Sequence, residues 1–207
     1  MKVRSPRRSH AFTLIETVGA LAVIAILSSL LVPTTFQAIT NARAASALVD
    51  YRSLKTAVVG HYGKFLSLAS NNGAGLSVAP SAPYTNYNGV LLAEGMLEKP
   101  FGSKLGTGAM VQLVNISGLS ASTSPDGSNG AYDLSGTGKN DVTGGCLVEA
   151  VIFGVSQADA RALNNSLDGP DLGEPGSSDH DFLGRVIYAR PHGGGTLFEV
   201  HIYVLHQ

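Results

Sequence analysis

The sequence contains a single cysteine, Cys146, and few charges, because only 14% of its 207 residues are Asp, Glu, Lys or Arg. One cysteine can form neither an intramolecular disulfide nor a thiolate metal cluster. Cys146 lies in the strand-like run CLVEAVIF and is predicted to be a small buried thiol. The low charge and the 25 glycines predict a loop-rich chain with a modest sheet and little solvated helix.

Short motifs of common catalytic sites are also missing. The sequence has no Gly-x-Ser-x-Gly elbow, no phosphate-binding Gly/Lys motif and no H-x-x-x-H pair among its six histidines. His192 precedes a glycine run that no helix follows, so the run is predicted to be a turn, and His201 is predicted to lie on an exposed strand face. These absences predict that the chain is not an enzyme and needs no cofactor.

The charges are distributed unevenly. The first eleven residues contain no acid and four basic side chains, Lys2, Arg4, Arg7 and Arg8. Without them, 14 − 4 = 10 basic residues face 15 acidic ones, a net charge of −5. This acidic balance argues against a nucleic-acid groove, which depends on phosphate neutralisation.

The most apolar stretch of the chain is the 21-residue run 12–32, which contains one charged residue, Glu16. At about 1.5 Å per residue, such a helix is roughly 30 Å long and can cross a membrane. The basic prefix is then expected to stay in the cytoplasm, and the chain after Pro33 to lie outside.

Three interpretations of this segment compete. A secretory signal peptide would be cut after Ala42-Arg43-Ala44, but its apolar run would be long and would contain a charge. A twin-arginine signal at Arg7-Arg8 has poorly fitting flanks. A plain membrane anchor leaves Glu16 without explanation.

The third interpretation rests on the run Ala11-Phe12-Thr13-Leu14-Ile15-Glu16. This run closely resembles the cleavage and methylation signal of type IV pilins and type II secretion pseudopilins, and the resemblance covers about the first 55 residues. It implies that a prepilin peptidase/methyltransferase cuts between Ala11 and Phe12 and methylates the new amine of Phe12. The family usually has Gly before the cut, where this chain has Ala11.

The resemblance also implies a role for Glu16. An isolated carboxylate in lipid is costly and normally marks function. In family filaments the corresponding Glu is thought to meet the terminal amine of a neighbouring subunit, a pairing that is strong at low dielectric. Glu16 is therefore expected to set the register between subunits. The alternative is a Glu16 side chain that extends to the cytoplasmic interface.

The helix is predicted to continue past the membrane to about residue 66. Pro33 removes one backbone donor and predicts a kink. Beyond it, apolar residues recur at spacings of three and four and predict a stripe that packs on the rest of the chain: Leu48, Tyr51, Val58, Tyr62 and Phe65.

The remainder is predicted to be a globular head with short helices at 90–97 and 157–169, the second capped by Ser156. Strands are predicted at 110–116, 146–155, 184–191 and 196–205, with a long loop at 117–145. The predicted fold class is α+β, a long N-terminal helix packed on an antiparallel sheet of about four strands. The predicted organisation is a leader (1–11), the helix with its transmembrane part (12–66 and 12–32), and the head (67–207).

Two further patterns lie in the head. Leu167-Asp168-Gly169 followed by Gly184-Arg185-Val186 is similar to an L-D-D-G … G-R-V arrangement of pilin-like proteins, with one Asp missing. A dense acidic loop offers hard oxygen ligands for Ca²⁺ but at irregular spacing, so a solvated loop is the competing interpretation: Asp168, Asp171, Glu174, Asp179 and Asp181.

The sequence thus predicts a pseudopilin or minor pilin, a structural subunit that is anchored in the inner membrane before it enters a filament with other pilin or pseudopilin subunits. The alternative is a single-span membrane-anchored binding domain that does not polymerise.

Overall fold

The computed structural model describes residues 13–69, 84–127, 129–172, 179–190 and 195–207, without the side chains of residues 84, 85 and 171. The chain divides into two compact units, one ending at Ile39 and one beginning at Thr40. Helix α1, Leu14–Phe65, contains this boundary. The predicted long helix is confirmed.

The first part of α1 is exposed throughout, from residue 13 to Ile39. By length and composition, α1 is the one helix in the described ranges that could cross a membrane. The helix continues through Pro33, and the hydroxyls of Thr34 and Thr35 both donate to the Leu31 carbonyl at 2.9 Å. The kink at Pro33 stays a prediction.

The second part of α1 packs through a narrow seam of small and apolar side chains at spacings of three and four. The buried members are Ala44, Ala47, Tyr51, Leu54, Ala57, Val58 and His61. The predicted stripe was partly wrong, since Tyr62 is 36% exposed and its neighbour His61 is buried instead. The buried side of the helix thus passes through His61, and Tyr62 lies at its edge.

Helix α1 ends at Phe65, and Leu66 follows with a φ of +55°. This left-handed conformation is costly for a residue with a Cβ, and glycine adopts it freely. The Leu66 side chain is 73% exposed, so its removal forfeits little packing. The Leu66 N–H donates to the Tyr62 carbonyl at 2.7 Å, a bond that glycine keeps.

Replacing Leu66 by glycine is therefore expected to raise the free energy of unfolding by about 1 kcal/mol. Leu66→Ala is the matched control, because it removes the same apolar side chain but keeps the strain. The measurement is denaturant unfolding of the detergent-solubilised full-length chain. A glycine variant no more stable than the alanine variant would contradict the prediction.

The sheet has six antiparallel strands in the order β1-β2-β3-β6-β5-β4. Their bounds are Tyr84–Asn86, Gly108–Asn115, Cys146–Val155, His180–Asp181, Val186–Ala189 and Phe198–His206. The four predicted strands are confirmed, and β1 and β4 add short edges. Alternation of apolar residues in β6 places Phe198, Val200, Ile202 and Val204 in the core that contains the α1 seam, as predicted.

Both predicted short helices are present, and the first begins three residues earlier than predicted. Helix α2, Tyr87–Ala93, begins at Asn86, whose side chain accepts from the Asn88 N–H. It ends before the predicted limit of residue 97, because the chain turns at Gly95 with a φ of +69°. Helix α3, Gln157–Leu167, begins at Ser156, whose side chain accepts from the Asp159 N–H as expected for an N-cap.

The opposite face of the sheet is covered by the segment between β2 and β3. Its residues Ile116, Tyr132 and Val142 pack with Leu147 and Ile187 in a second apolar cluster. This Gly/Ser/Asp-rich segment was predicted to be a long loop. The described part of it packs on the sheet.

Candidate functional site

The start of α1 is a reciprocal cap formed by Thr13 and Glu16. The Thr13 N–H and hydroxyl each lie 2.9 Å from the Glu16 carboxylate oxygen Oε2, and the Glu16 N–H lies 3.3 Å from the Thr13 hydroxyl. This arrangement is a capping box, in which two otherwise unpaired backbone donors are satisfied at the helix start. This capping box was not predicted from the sequence, although the spacing Thr-Leu-Ile-Glu is its signature.

The capping box lowers the cost of placing the Glu16 carboxylate in an apolar helix. Between residue 14 and Ala42, Glu16 is the one charged residue of the helix. The cap supplies polar partners to Oε2 from its own chain, which offsets part of the cost of placing a carboxylate among apolar side chains. Ala11 and Phe12, the predicted cleavage and methylation residues, lie outside the described residues.

The first part of α1 presents its own apolar side chains on all sides of the helix. A helix that is apolar all round requires an apolar environment such as a lipid bilayer or a bundle of like helices. The large exposed ones are Leu14, Ile15, Val18, Leu21, Val23, Ile24, Ile26, Leu27, Leu30, Leu31, Val32, Phe36 and Ile39.

The cut site of the alternative signal-peptide interpretation lies inside the folded unit that begins at Thr40. Ala44 is 0% exposed, and the Arg43 guanidinium Nη1 lies 3.6 Å from the Asp159 carboxylate on α3. Cleavage after Ala44 would therefore remove a buried residue and the Arg43–Asp159 pair from this folded unit.

The two halves of the L-D-G … G-R-V pattern meet in space. One carboxylate oxygen of Asp168 accepts from the Arg185 and Val186 N–H groups, each at 2.8 Å. Burial raises the pKa of Asp168, although these two bonds and the Arg185 charge act in the other direction. Gly184 has a φ of +82°, and a Cβ there would lie 2.5 Å from the same oxygen. The pattern therefore joins the end of α3 to the start of β5.

Two acidic residues of the predicted calcium loop bind different partners within the protein. Asp179 pairs with Arg190 at 2.9 Å, and Asp181 accepts from the Asn164 side-chain amide at 2.6 Å. Glu174 and the Asp171 side chain lie outside the description. Within the described residues, no group of three or more His, Cys, Asp or Glu side chains is placed to hold a metal ion.

The prediction for His201 was wrong, because the segment between β2 and β3 covers its strand face. His201 is 8% exposed and Glu149 is 2% exposed, with 3.3 Å between His201 Nδ1 and the Glu149 carboxylate. The Gln112 amide and the Tyr132 hydroxyl also donate to Glu149, at 2.6 and 2.5 Å. Burial opposes charge on both groups.

The hydrogen bonds nonetheless dominate this network. Burial alone would lower the pKa of His201, but its bonds to Glu149 and Glu199 raise it to about 9. Burial alone would raise the pKa of Glu149, but its bonds from His201, Tyr132 and Gln112 lower it. The two groups are thus a buried ion pair between β3 and β6, and the Tyr132 hydroxyl joins this pair to the covering segment. Cys146 is buried as predicted.

Comparison with known proteins bears on the N-terminal region. A family model described as the prokaryotic N-terminal methylation motif matches residues 6–32. Searches of curated proteins and of solved structures gave no match. The matched stretch contains the Ala11–Phe12 bond, the capping box and the whole apolar run 12–32. The chain therefore carries the prepilin-type N-terminal signal of the type IV pilins and pseudopilins.

Proposed function

We propose that this chain is a structural subunit, a pseudopilin or minor pilin, of a type II secretion pseudopilus or a type IV pilus-like filament. The observation that carries the proposal is the methylation motif at residues 6–32 directly at the start of a helix whose first part is exposed and apolar. A helix of this kind needs lipid before assembly and other apolar helices after it.

In this proposal a prepilin peptidase/methyltransferase cuts the Ala11–Phe12 bond on the cytoplasmic side of the inner membrane. The basic prefix stays in the cytoplasm and the head lies in the periplasm or outside the cell. The new amine of Phe12 is then available to the Glu16 carboxylate of a neighbouring subunit. Thr13 holds one oxygen of Glu16 at 2.9 Å, which leaves Oε1 for the incoming amine.

Mass spectrometry of the native chain tests the processing step. The expected mature N-terminus is methyl-Phe12, and crosslinking between first halves of α1 is expected to yield species larger than a dimer. An intact Met1 or a start at Ala45 contradicts the processing. A trimmed chain that stays solitary in the membrane favours the anchored binding domain.

The same preparation tests the register role of Glu16. Glu16→Ala, produced beside the wild type, is expected to be inserted and trimmed but to crosslink to neighbours at least tenfold less, because an unpaired amine in an apolar bundle is costly. Thr17→Ala is the matched control, since it changes the next exposed residue of the same helical turn. Normal assembly of Glu16→Ala would overturn the register role.

A further inference from the structure

Within residues 40–65, one flank of α1 carries an acidic side chain and another flank carries a basic one. The two lie at nearly the same position along the helix axis. Asp50 and Arg52 are two positions apart, so their side chains leave the helix in directions about 200° apart. The buried seam lies between these directions, since Tyr51 and Leu54 are 3% and 1% exposed. Each molecule therefore presents two different charged flanks to its surroundings.

The first flank borders a groove with a volume of about 310 Å³ between α1 and the segment 96–102. Its charged lining is Asp50, Glu98 and Lys99, a net charge of −1. Leu54 and Phe101 contribute apolar lining. Within the described ranges, neither acid of this acidic groove has an ion pair.

The second flank, which we call the basic flank, contains Arg52 and Lys55 beside the part-exposed apolar side chains Val59 and Tyr62. Val59 is 47% exposed, and in the part of the chain that the structure describes neither cation has an ion pair. Lys64 does not belong to it: its side chain leaves α1 on the groove side, about 21 Å further along the axis than Asp50. That separation exceeds the roughly 8 Å over which charges act at physiological salt.

We infer that the acidic groove of one copy of this chain receives the basic flank of a second copy. The inference rests on the proposed function, and it assigns the surfaces that join adjacent heads. The two surfaces differ, so each contact leaves one of each surface free, and the contact repeats as an open helical array and not as a closed dimer. The opposed charges also suppress the wrong pairings of groove with groove and flank with flank.

A disulfide ladder tests this contact in the full-length chain in membranes. Gly102→Cys places a thiol at the groove, where a Cβ meets nothing within 4 Å, and Val59→Cys places one on the basic flank, where Val59 is exposed. Val59 is nine positions after Asp50, so its side chain leaves α1 on the side opposite Asp50 and the groove, and the two thiols are expected to pair between copies. Oxidation is expected to give trimers and larger species on a non-reducing gel.

Charge reversal then separates specific contact from misfolding. Both charge reversals are made in the double-cysteine chain. Groove reversal (Asp50→Lys with Glu98→Lys) and flank reversal (Arg52→Glu with Lys55→Glu) are each expected to reduce the disulfide-linked species larger than a dimer at least tenfold. Mixing the two reversed chains is expected to restore the ladder to within twofold, because each groove again meets an opposite charge. Lys139→Glu, on an exposed loop, is the control and should leave the ladder unchanged.

Four results would overturn the inference. Reversed chains that behave like the Lys139→Glu control, or a mixture that fails to recover, overturn the docking surfaces. A double-cysteine chain with its native charges that is trimmed and crosslinks through the first halves of α1 but gives no disulfide ladder overturns the docking alone. A chain that never associates overturns both the docking and the proposed function.

Discussion

Replacing Glu149 by alanine should lower the free energy of unfolding by about 3–5 kcal/mol, because it leaves a buried charge and two donors without their acceptor. Three side chains lose their common partner: Gln112, Tyr132 and His201. The measurement is denaturant unfolding of the detergent-solubilised full-length chain. Tyrosine circular dichroism is a suitable signal, since all seven tyrosines lie after residue 40.

The pH dependence of this loss identifies its cause. His201 has a pKa of about 9, above its ordinary 6.5, so its stabilisation is complete below pH 6.5 and is lost as the pH rises through 9. Glu149 has a pKa below its ordinary 4.5, so its stabilisation is present above pH 4.5 and is lost as the pH falls through its folded value. The difference between wild type and variant should therefore be largest between about pH 5 and 6.5.

Glu199→Gln is the matched control for the Glu149→Ala variant. The Glu199 side chain is 38% exposed and lies 3.2 Å from His201 Nε2. Because solvent at the exposed Glu199 side chain screens this pair, it contributes at most about 1 kcal/mol, and the variant should be much less destabilised. Equal losses in the two variants, or a loss that does not change with pH, would contradict an ion pair as the source of the stabilisation.

The second large effect is expected for Gly184→Ala, which should cost about 3 kcal/mol or more. The φ of +82° imposes strain of about 1–2 kcal/mol on a residue with a Cβ. The new Cβ would also lie 2.5 Å from Oδ2 and 2.6 Å from Cγ of Asp168. Relief of that overlap must break the bonds from Arg185 and Val186 to Asp168, or displace α3 from β5.

Gly169→Ala separates the two contributions. Gly169 also has a φ of +82°, but a Cβ there meets nothing within 4 Å. This variant should lose only the strain, about 1–2 kcal/mol, when both are measured by the same unfolding experiment. If the two glycine variants lose the same stability, the close approach of Gly184 to Asp168 does not contribute.

Much of the fold follows from local pattern. The alternation in 198–204 and the spacing in α1 were sufficient for the sheet and the long helix, because both reflect one buried face. Edge strands β1 and β4 have three and two residues, too few for a pattern. The cover over His201 escaped prediction because Tyr132 and Val142 stand singly among glycines and polar residues.

The candidate site also has features that follow from local sequence and features that do not. The methylation motif and the apolar run are local and were predicted from the sequence. The capping box is also local, and the spacing from Thr13 to Glu16 is sufficient to predict it. The two flanks of α1 could not be predicted, because their directions depend on which side of the helix packs on the sheet.

The burial of Cys146 has a practical consequence. Its side chain is 6% exposed, and burial raises the pKa of its thiol, so little reactive thiolate forms near neutral pH. Maleimide dyes or spin labels attached at engineered exposed positions should therefore report on those positions against a silent background. Distances between labelled copies can be measured without removing the native sulfur.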